Sequence, residues 1–191
     1  QLVRSEIAAA SHHLIALGAS TGGTVAIESI LQSLPADTPG LVMVQHMPAF
    51  FTRSFADRLA KLSRMRVREA RDGDLVEQGL ALLAPGDKQM VVRQTPRGYT
   101  VGVMDGPRVS GHRPSVDVLF RSVARAAGKH ALGIILTGMG ADGAQGMLEM
   151  RKAGAHTLGQ DAESSVVYGM PKAAFDLGGV EHQVPLAHMP Q

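Results

Sequence analysis

Ser20, His46 and Asp142 are residue types that together perform acyl transfer, and each stands at or beyond the end of an apolar run of strand length. A serine nucleophile needs a base to take its proton, and the base needs a carboxylate to hold its tautomer and balance its charge. Ser20 lies in Gly18-Ala19-Ser20-Thr21-Gly22, a Gly-x-Ser-x-Gly segment. That pattern predicts a nucleophile elbow, a sharp strand-to-helix turn in which glycines let the hydroxyl stand exposed. The helix expected to open near Gly22 would bring free N–H groups beside the serine, where an oxyanion develops. Each residue also has a plainer reading. Ser20 could simply cap a helix after a glycine-rich turn, His46 could be a surface or capping residue, and Asp142 could be the N-cap of the helix that follows it. His112, in a loop with Arg and Pro, is the rival base, with a supporting or substrate-facing role as its other reading. Asp161 and Asp117 are the next carboxylates.

The positioning elements follow from hydrophobic pattern. Residues 14–18, 41–45 and 132–137 are short, continuously apolar runs of the kind buried on both faces of a sheet. Val25, Ile27, Ile30, Leu31 and Leu34 give a helical period ending before Pro35, and Phe50, Phe51, Phe55, Leu59 and Leu62 mark a second helix. Val67 opens a short strand, residues 79–84 form another, and 90–92 with 99–103 flank a Pro- and Gly-containing connection over 94–98 as a hairpin. Ser115 is an N-cap candidate for a helix through Val116, Leu119, Phe120, Val123 and Ala127. A helix through Met147, Leu148 and Met150, a strand over 155–160 and a helix opening at Met170-Pro171 complete the chain. Alternating strands and helices predict a single-domain α/β fold: a mainly parallel, doubly wound sheet with helices on both faces and an attached antiparallel hairpin. In such a sheet ligands bind beyond the carboxyl ends of the strands, where Ser20, His46 and Asp142 fall. The order Ser, His, Asp differs from the Ser, acid, His order of α/β hydrolases, which argues against that fold without arguing against the chemistry.

A competing motif shares the last segment. Gly138-x-Gly140-x-x-Gly143 follows a strand and opens a helix, with Asp161 further on, so it could serve a dinucleotide. Only about 50 residues follow it, so most of a dinucleotide site would need an unusual strand order. Composition narrows the rest. The 191 residues are 45% hydrophobic, enough for one core, and 19 Lys and Arg against 17 Asp and Glu leave a net charge of +2. Arg53, Arg58, Lys61, Arg64, Arg66, Arg68 and Arg71 form a basic cluster that Asp57, Glu69, Asp72 and Asp74 interrupt. With few aromatics between them they read as a solvated face, or as a docking surface for an acidic partner, rather than as a nucleic-acid stripe. Absence of cysteine excludes disulfides, thiolate catalysis and Cys-based zinc, and fits a reducing compartment. The eight histidines show no His-Glu-x-x-His spacing, so neither metal nor cofactor is expected. No apolar run approaches the roughly 20 residues of a membrane span, and no signal peptide opens the sequence; a cytoplasmic protein is expected.

Taken together, Gly18-Ala19-Ser20-Thr21-Gly22-Gly23, Gln45-His46-Met47-Pro48, the stretch from His112 to Phe120, and Leu136-Thr137-Gly138-Met139-Gly140-Ala141-Asp142-Gly143 resemble the catalytic domain of the chemotaxis protein-glutamate methylesterases, the CheB family. Val167-Tyr168-Gly169-Met170-Pro171 is similar too. The resemblance covers about residues 13 to 185. It implies a cytoplasmic serine hydrolase of bacterial chemotaxis, part of a two-component system, that needs no cofactor. Such an enzyme removes methyl esters from chemoreceptor glutamates, releasing methanol, and also deamidates receptor glutamines. Carried onto this sequence, the nucleophile is Ser20, the base His46 and the carboxylate Asp142, with the oxyanion held by the backbone N–H groups of Thr21 and Met139. It implies further that residues 13–191 are the catalytic domain and residues 1–12 a linker or disordered tail, from a longer protein carrying an N-terminal phosphorylatable receiver domain. Methylated chemoreceptor helices would be the protein partner.

Overall fold

The structure, a computed structural model, describes residues 13–191; the linker expected over residues 1–12 lies outside the described residues. In chain order the strands are β1 (Leu14–Ala19), β2 (Gly40–Gln45), β3 (Arg66–Glu69), β4 (Leu80–Leu83), β5 (Gln89–Thr95), β6 (Gly98–Met104), β7 (Ala131–Ile135), β8 (His156–Gln160) and β9 (His182–Val184). The helices are α1 (Gly23–Ser33), α2 (Ala49–Leu62), α3 (Val116–Ala127), α4 (Ala144–Lys152) and α5 (Met170–Asp176). Seven strands form one sheet in the order β3-β4-β2-β1-β7-β8-β9, and every pairing in it is parallel. The chain leaves β1 for β2 on one side and returns as β7 on the other, so the carboxyl end of β1 is a switch point that opens a crevice.

Alternate residues of each strand serve opposite core layers. Leu14 and Ala16 pack with Val116, Leu119, Phe120 and Val123 of α3, Met147 and Met150 of α4 and Met170 of α5. Ile15, Leu17 and Ala19 pack with Ile27, Ile30 and Leu31 of α1 and Phe55 and Leu59 of α2. At about 1.5–3 kcal/mol for each large apolar side chain buried, these two layers dominate the stabilisation and hold the strand ends in fixed register. The doubly wound α/β fold expected from the sequence is therefore the fold observed.

Three details differ. The hairpin ladder runs from Gln89–Met104 to Thr95–Gly98, so the connection is the two residues Pro96-Arg97 rather than 94–98. The hairpin is a separate sheet: Met90, Val92 and Val101 join the layer under α3, and the Val92 N–H donates to Ser122 Oγ at 2.8 Å. The strand expected over 132–137 ends at Ile135, because the Thr137 N–H turns to the side-chain Oε1 of Gln160 at 2.8 Å instead of a strand partner. The third difference is β9, which the pattern did not announce: none of its three residues is buried, and they offer no apolar run. In the basic cluster Arg58 pairs with Glu28, Arg66 with Glu77 and Arg68 with Asp74, as on a solvated face, where such pairs contribute about 0–1 kcal/mol each.

Candidate active site

Ser20 is the first residue after β1 and His46 the first after β2. The register pairs Ala19 with Gln45, so Ser20 and His46 are the next pair along neighbouring parallel strands, and the His46 N–H donates to Ala19 O at 3.1 Å. The Ser20 N–H donates to Thr137 O at 3.0 Å, which ties the serine to the strand on its other side. The turn differs from a nucleophile elbow in one respect. The only non-glycine residues with positive φ among the described residues are Asp87 and Ser110, so the serine itself is not in the left-handed region; Gly22, at φ 80°, makes the turn instead. Helix α1 then starts at Gly23 as expected, with Gly22 as its N-cap and no side-chain cap. Ser20 does not cap it.

Asp142 reaches across the end of β1 to His46. Its Oδ2 accepts from His46 Nε2 at 2.7 Å and from the Val116 N–H at 2.8 Å, while Oδ1 accepts from Ser115 Oγ at 2.8 Å and the Asp117 N–H at 2.9 Å. The carboxylate therefore sits on the N-terminus of α3, where unpaired N–H groups and the helix dipole favour negative charge. It does not cap α4, the helix that follows it, whose N-cap is Gly143. Burial alone would raise the Asp142 pKa, but the hydrogen bonds from His46, Asp117, Val116 and Ser115 outweigh it and hold the carboxyl below its ordinary value. An ionised carboxylate only accepts, so His46 Nε2 carries a proton, and in the neutral imidazole Nδ1 is then the nitrogen with the free lone pair. That Nδ1 is buried and has no hydrogen-bond partner among the described residues. Ser20 Oγ makes no hydrogen bond to it, a contact that in free enzymes often tightens only when substrate is bound.

His112 does not take the carboxylate. Its ring stacks on that of His46, with centroids 3.6 Å apart and planes 7° from parallel. Burial lowers its pKa, helped by the charges of His46 and Arg108 and opposed by Asp142. Asp117 is engaged by Ser110 Oγ and the Gly146 N–H, and Asp161 by the N–H and hydroxyl of Ser164, so neither alternative carboxylate meets His46. In the glycine segment 138–143 a Cβ on Gly138 would lie 2.8 Å from Ser20 Cβ, so this loop abuts Ser20. Met139, next along, is 67% exposed, and the N–H groups of Thr21 and Met139 donate to no protein acceptor among the described residues. They are available to a developing oxyanion.

Two further polar side chains, Ser115 and Gln89, brace the site. Ser115 is the N-cap expected of it, accepting from the Val118 N–H at 3.4 Å, but its hydroxyl also donates to Asp142. Gln89 on the hairpin accepts from the Ser115 N–H and donates to Pro107 O and His112 O, bracing the loop before α3. A cleft of about 430 Å³, lined among others by His46, Met47, Ala49, Arg108 and His112, opens beside the imidazole. Among the described residues no group of three or more His, Asp or Glu could hold a metal ion, and no helix is long and apolar enough to cross a membrane.

Residues 15–191 match the family model for CheB methylesterase. A protein-glutamate methylesterase/protein-glutamine glutaminase of Albidiferax ferrireducens is 61% identical over 92% of this chain and 51% of its own length, and one from Anaeromyxobacter dehalogenans is 59% identical over 91% and 49%. The chain spans about half the length of the curated relatives it matches. The crystal structure of the Thermotoga maritima CheB methylesterase catalytic domain superposes with a TM-score of 0.91 at 32% identity, covering 94% of this chain and 96% of that one.

Proposed function

Because the chain belongs to the CheB methylesterase family, we propose that it hydrolyses glutamate methyl esters on bacterial chemoreceptors, with Ser20 as nucleophile, His46 as base and Asp142 as the carboxylate that orients it. The observation that carries this reading is the His46 Nε2 to Asp142 contact at 2.7 Å, which makes Nδ1 the basic nitrogen of the neutral imidazole on a residue in register with Ser20. Ser20 Oγ attacks the ester carbonyl while His46 Nδ1 takes its proton, and the Thr21 and Met139 N–H groups receive the oxyanion. Collapse of the tetrahedral species breaks the C–O bond, and methanol leaves with the proton from His46. Water, deprotonated by the same nitrogen, then cleaves the acyl-enzyme to glutamate and free serine. The same steps on a glutamine carboxamide release ammonia, the glutaminase activity that the relatives' names carry. No cofactor enters.

Residues 13–191 are the catalytic domain in this reading, and residues 1–12 a linker to a receiver domain that accounts for the extra length of the relatives. The enzyme works in the cytoplasm on methylated receptor helices, and nucleic acid is not a partner. Methanol release from methylated receptor membranes tests the activity. It should proceed with the wild-type chain and stop with Ser20→Ala, and equal release by the two proteins would overturn the assignment.

A further inference from the structure

Gln45 ends β2 as a buried amide at the foot of the site. Its Nε2 donates to Ser20 O at 2.9 Å and to His46 O at 3.2 Å, so one side chain binds the carbonyls of both the nucleophile and the base. A trans peptide unit carries its C=O and N–H on opposite edges of one plane. Fixing Ser20 O therefore fixes the direction of the Thr21 N–H, which points away from the buried amide and has no protein acceptor among the described residues. The second donor is set the same way. Gly138 O accepts from the Met170 N–H at 2.8 Å, and the Met139 N–H occupies the other edge of that peptide. Donation into a carbonyl also polarises its own N–H, strengthening it as a donor.

The rest of the Gln45 amide argues that stability is not its purpose. Oε1 is buried with no hydrogen-bond partner among the described residues, a standing penalty that an unbranched apolar side chain of similar length would avoid. The Ser20 carbonyl also accepts from the Gly23 N–H at 2.7 Å, so without Gln45 it stays paired but is held by one donor instead of two, and its peptide plane is free to tilt.

We propose that Gln45 is a positioning residue of the oxyanion hole, aiming the Thr21 N–H through the Ser20 carbonyl while tying the strand ends of nucleophile and base together. The proposal rests on the reading of Ser20 as nucleophile. It assigns Gln45 an effect on the transition state and none on ground-state substrate binding.

The test compares Gln45→Met, Gln45→Asn and Ser20→Ala in hydrolysis of a small acyl ester such as p-nitrophenyl acetate, with thermal unfolding run in parallel. Misdirecting one of two donors should lower kcat about ten- to a hundredfold in both Gln45 variants, with KM within about twofold. The Tm of Gln45→Met should stay within a few degrees of wild type. A spectroscopic arm needs no variant: on formation of a boronic acid adduct, the backbone amide protons of both Thr21 and Met139 should move downfield in the wild-type chain. In either folded Gln45 variant the Thr21 shift should shrink while that of Met139 persists. Full kcat in a folded Gln45 variant, or a Thr21 amide that does not respond to the boronate in the wild type, overturns the proposal. Activity retained by Ser20→Ala would instead sink the underlying assignment, so the two failures are distinguishable.

Discussion

Asp142→Asn changes a single side-chain atom, yet the four hydrogen bonds to this carboxylate leave the amide no comfortable orientation. With the NH2 in the place of Oδ2 it confronts the Val116 N–H, and His46 must turn its proton to Nδ1, which removes the base. With the NH2 in the place of Oδ1 it confronts the Asp117 N–H; Ser115 can rotate to accept, and the tautomer survives, but the charge that steadies an imidazolium is gone. Either way one donor faces another and the α3 N-terminus loses its anion, a destabilisation of about 1–3 kcal/mol. In a chain of 191 residues that is a Tm loss of several degrees at about 2–4 °C per kcal/mol, small enough to leave the fold intact. The catalytic effect should be larger, about 10³ to 10⁴ in kcat, or about 4–5.5 kcal/mol at 1.36 kcal/mol per decade. Methanol release per folded molecule measures it, with receptor binding retained. Because groups acting as one unit are not additive, adding Asp142→Asn to Ser20→Ala should cost little beyond the serine change. A folded Asp142→Asn protein with wild-type kcat would refute the reasoning.

Ser115→Ala removes the hydroxyl from Asp142 and the cap from α3, so stability should fall by about 0.5–2 kcal/mol and kcat by about tenfold; loss of stability alone would restrict Ser115 to capping. His112→Ala should leave far more activity than His46→Ala, since only His46 meets Asp142; the reverse order would exchange their roles. The lowered pKa of His112 means the unfolded chain binds a proton that the fold resists. Wild-type stability should therefore decline as pH falls from the ordinary histidine value of 6.5 toward the folded one, and His112→Phe should flatten that slope in urea titrations. An unchanged slope counts against it. Asp142, also lowered, contributes stability that is present above the unfolded carboxylate value and lost as pH falls through the folded one, a separate and more acidic window.

The strand ends were legible because burial on both faces writes a continuous apolar run, and the candidate residues lie at or beyond its end. Ser20, His46 and Asp142 could thus be placed on one rim before any distance was known. What stayed hidden was polar and long-range. Ser115 already had a sufficient explanation as a cap, and its bond to a carboxylate 27 residues away leaves no local trace. Gln45 and Gln160 look like strand termini in sequence, yet their amides organise the Ser20 carbonyl and the Thr137 N–H. The Gly-x-Ser-x-Gly pattern correctly marked a turn but not which residue bears the positive φ, because glycine at either flank satisfies the pattern. Stacking of His112 on His46 could not be read either, since a loop histidine has no periodicity to place it.

In the proposed mechanism Ser20 is the residue acylated. Treating the wild-type chain with a serine-directed sulfonyl fluoride and mapping the modified peptide by mass tests it directly. Ser115 is fully buried, and the Ser165 hydroxyl is held by Asp161 O at 2.7 Å, so a single adduct on Ser20 is expected, together with loss of esterase activity in step with labelling. Label on Ser115 or Ser165 with Ser20 unmodified would contradict the assignment.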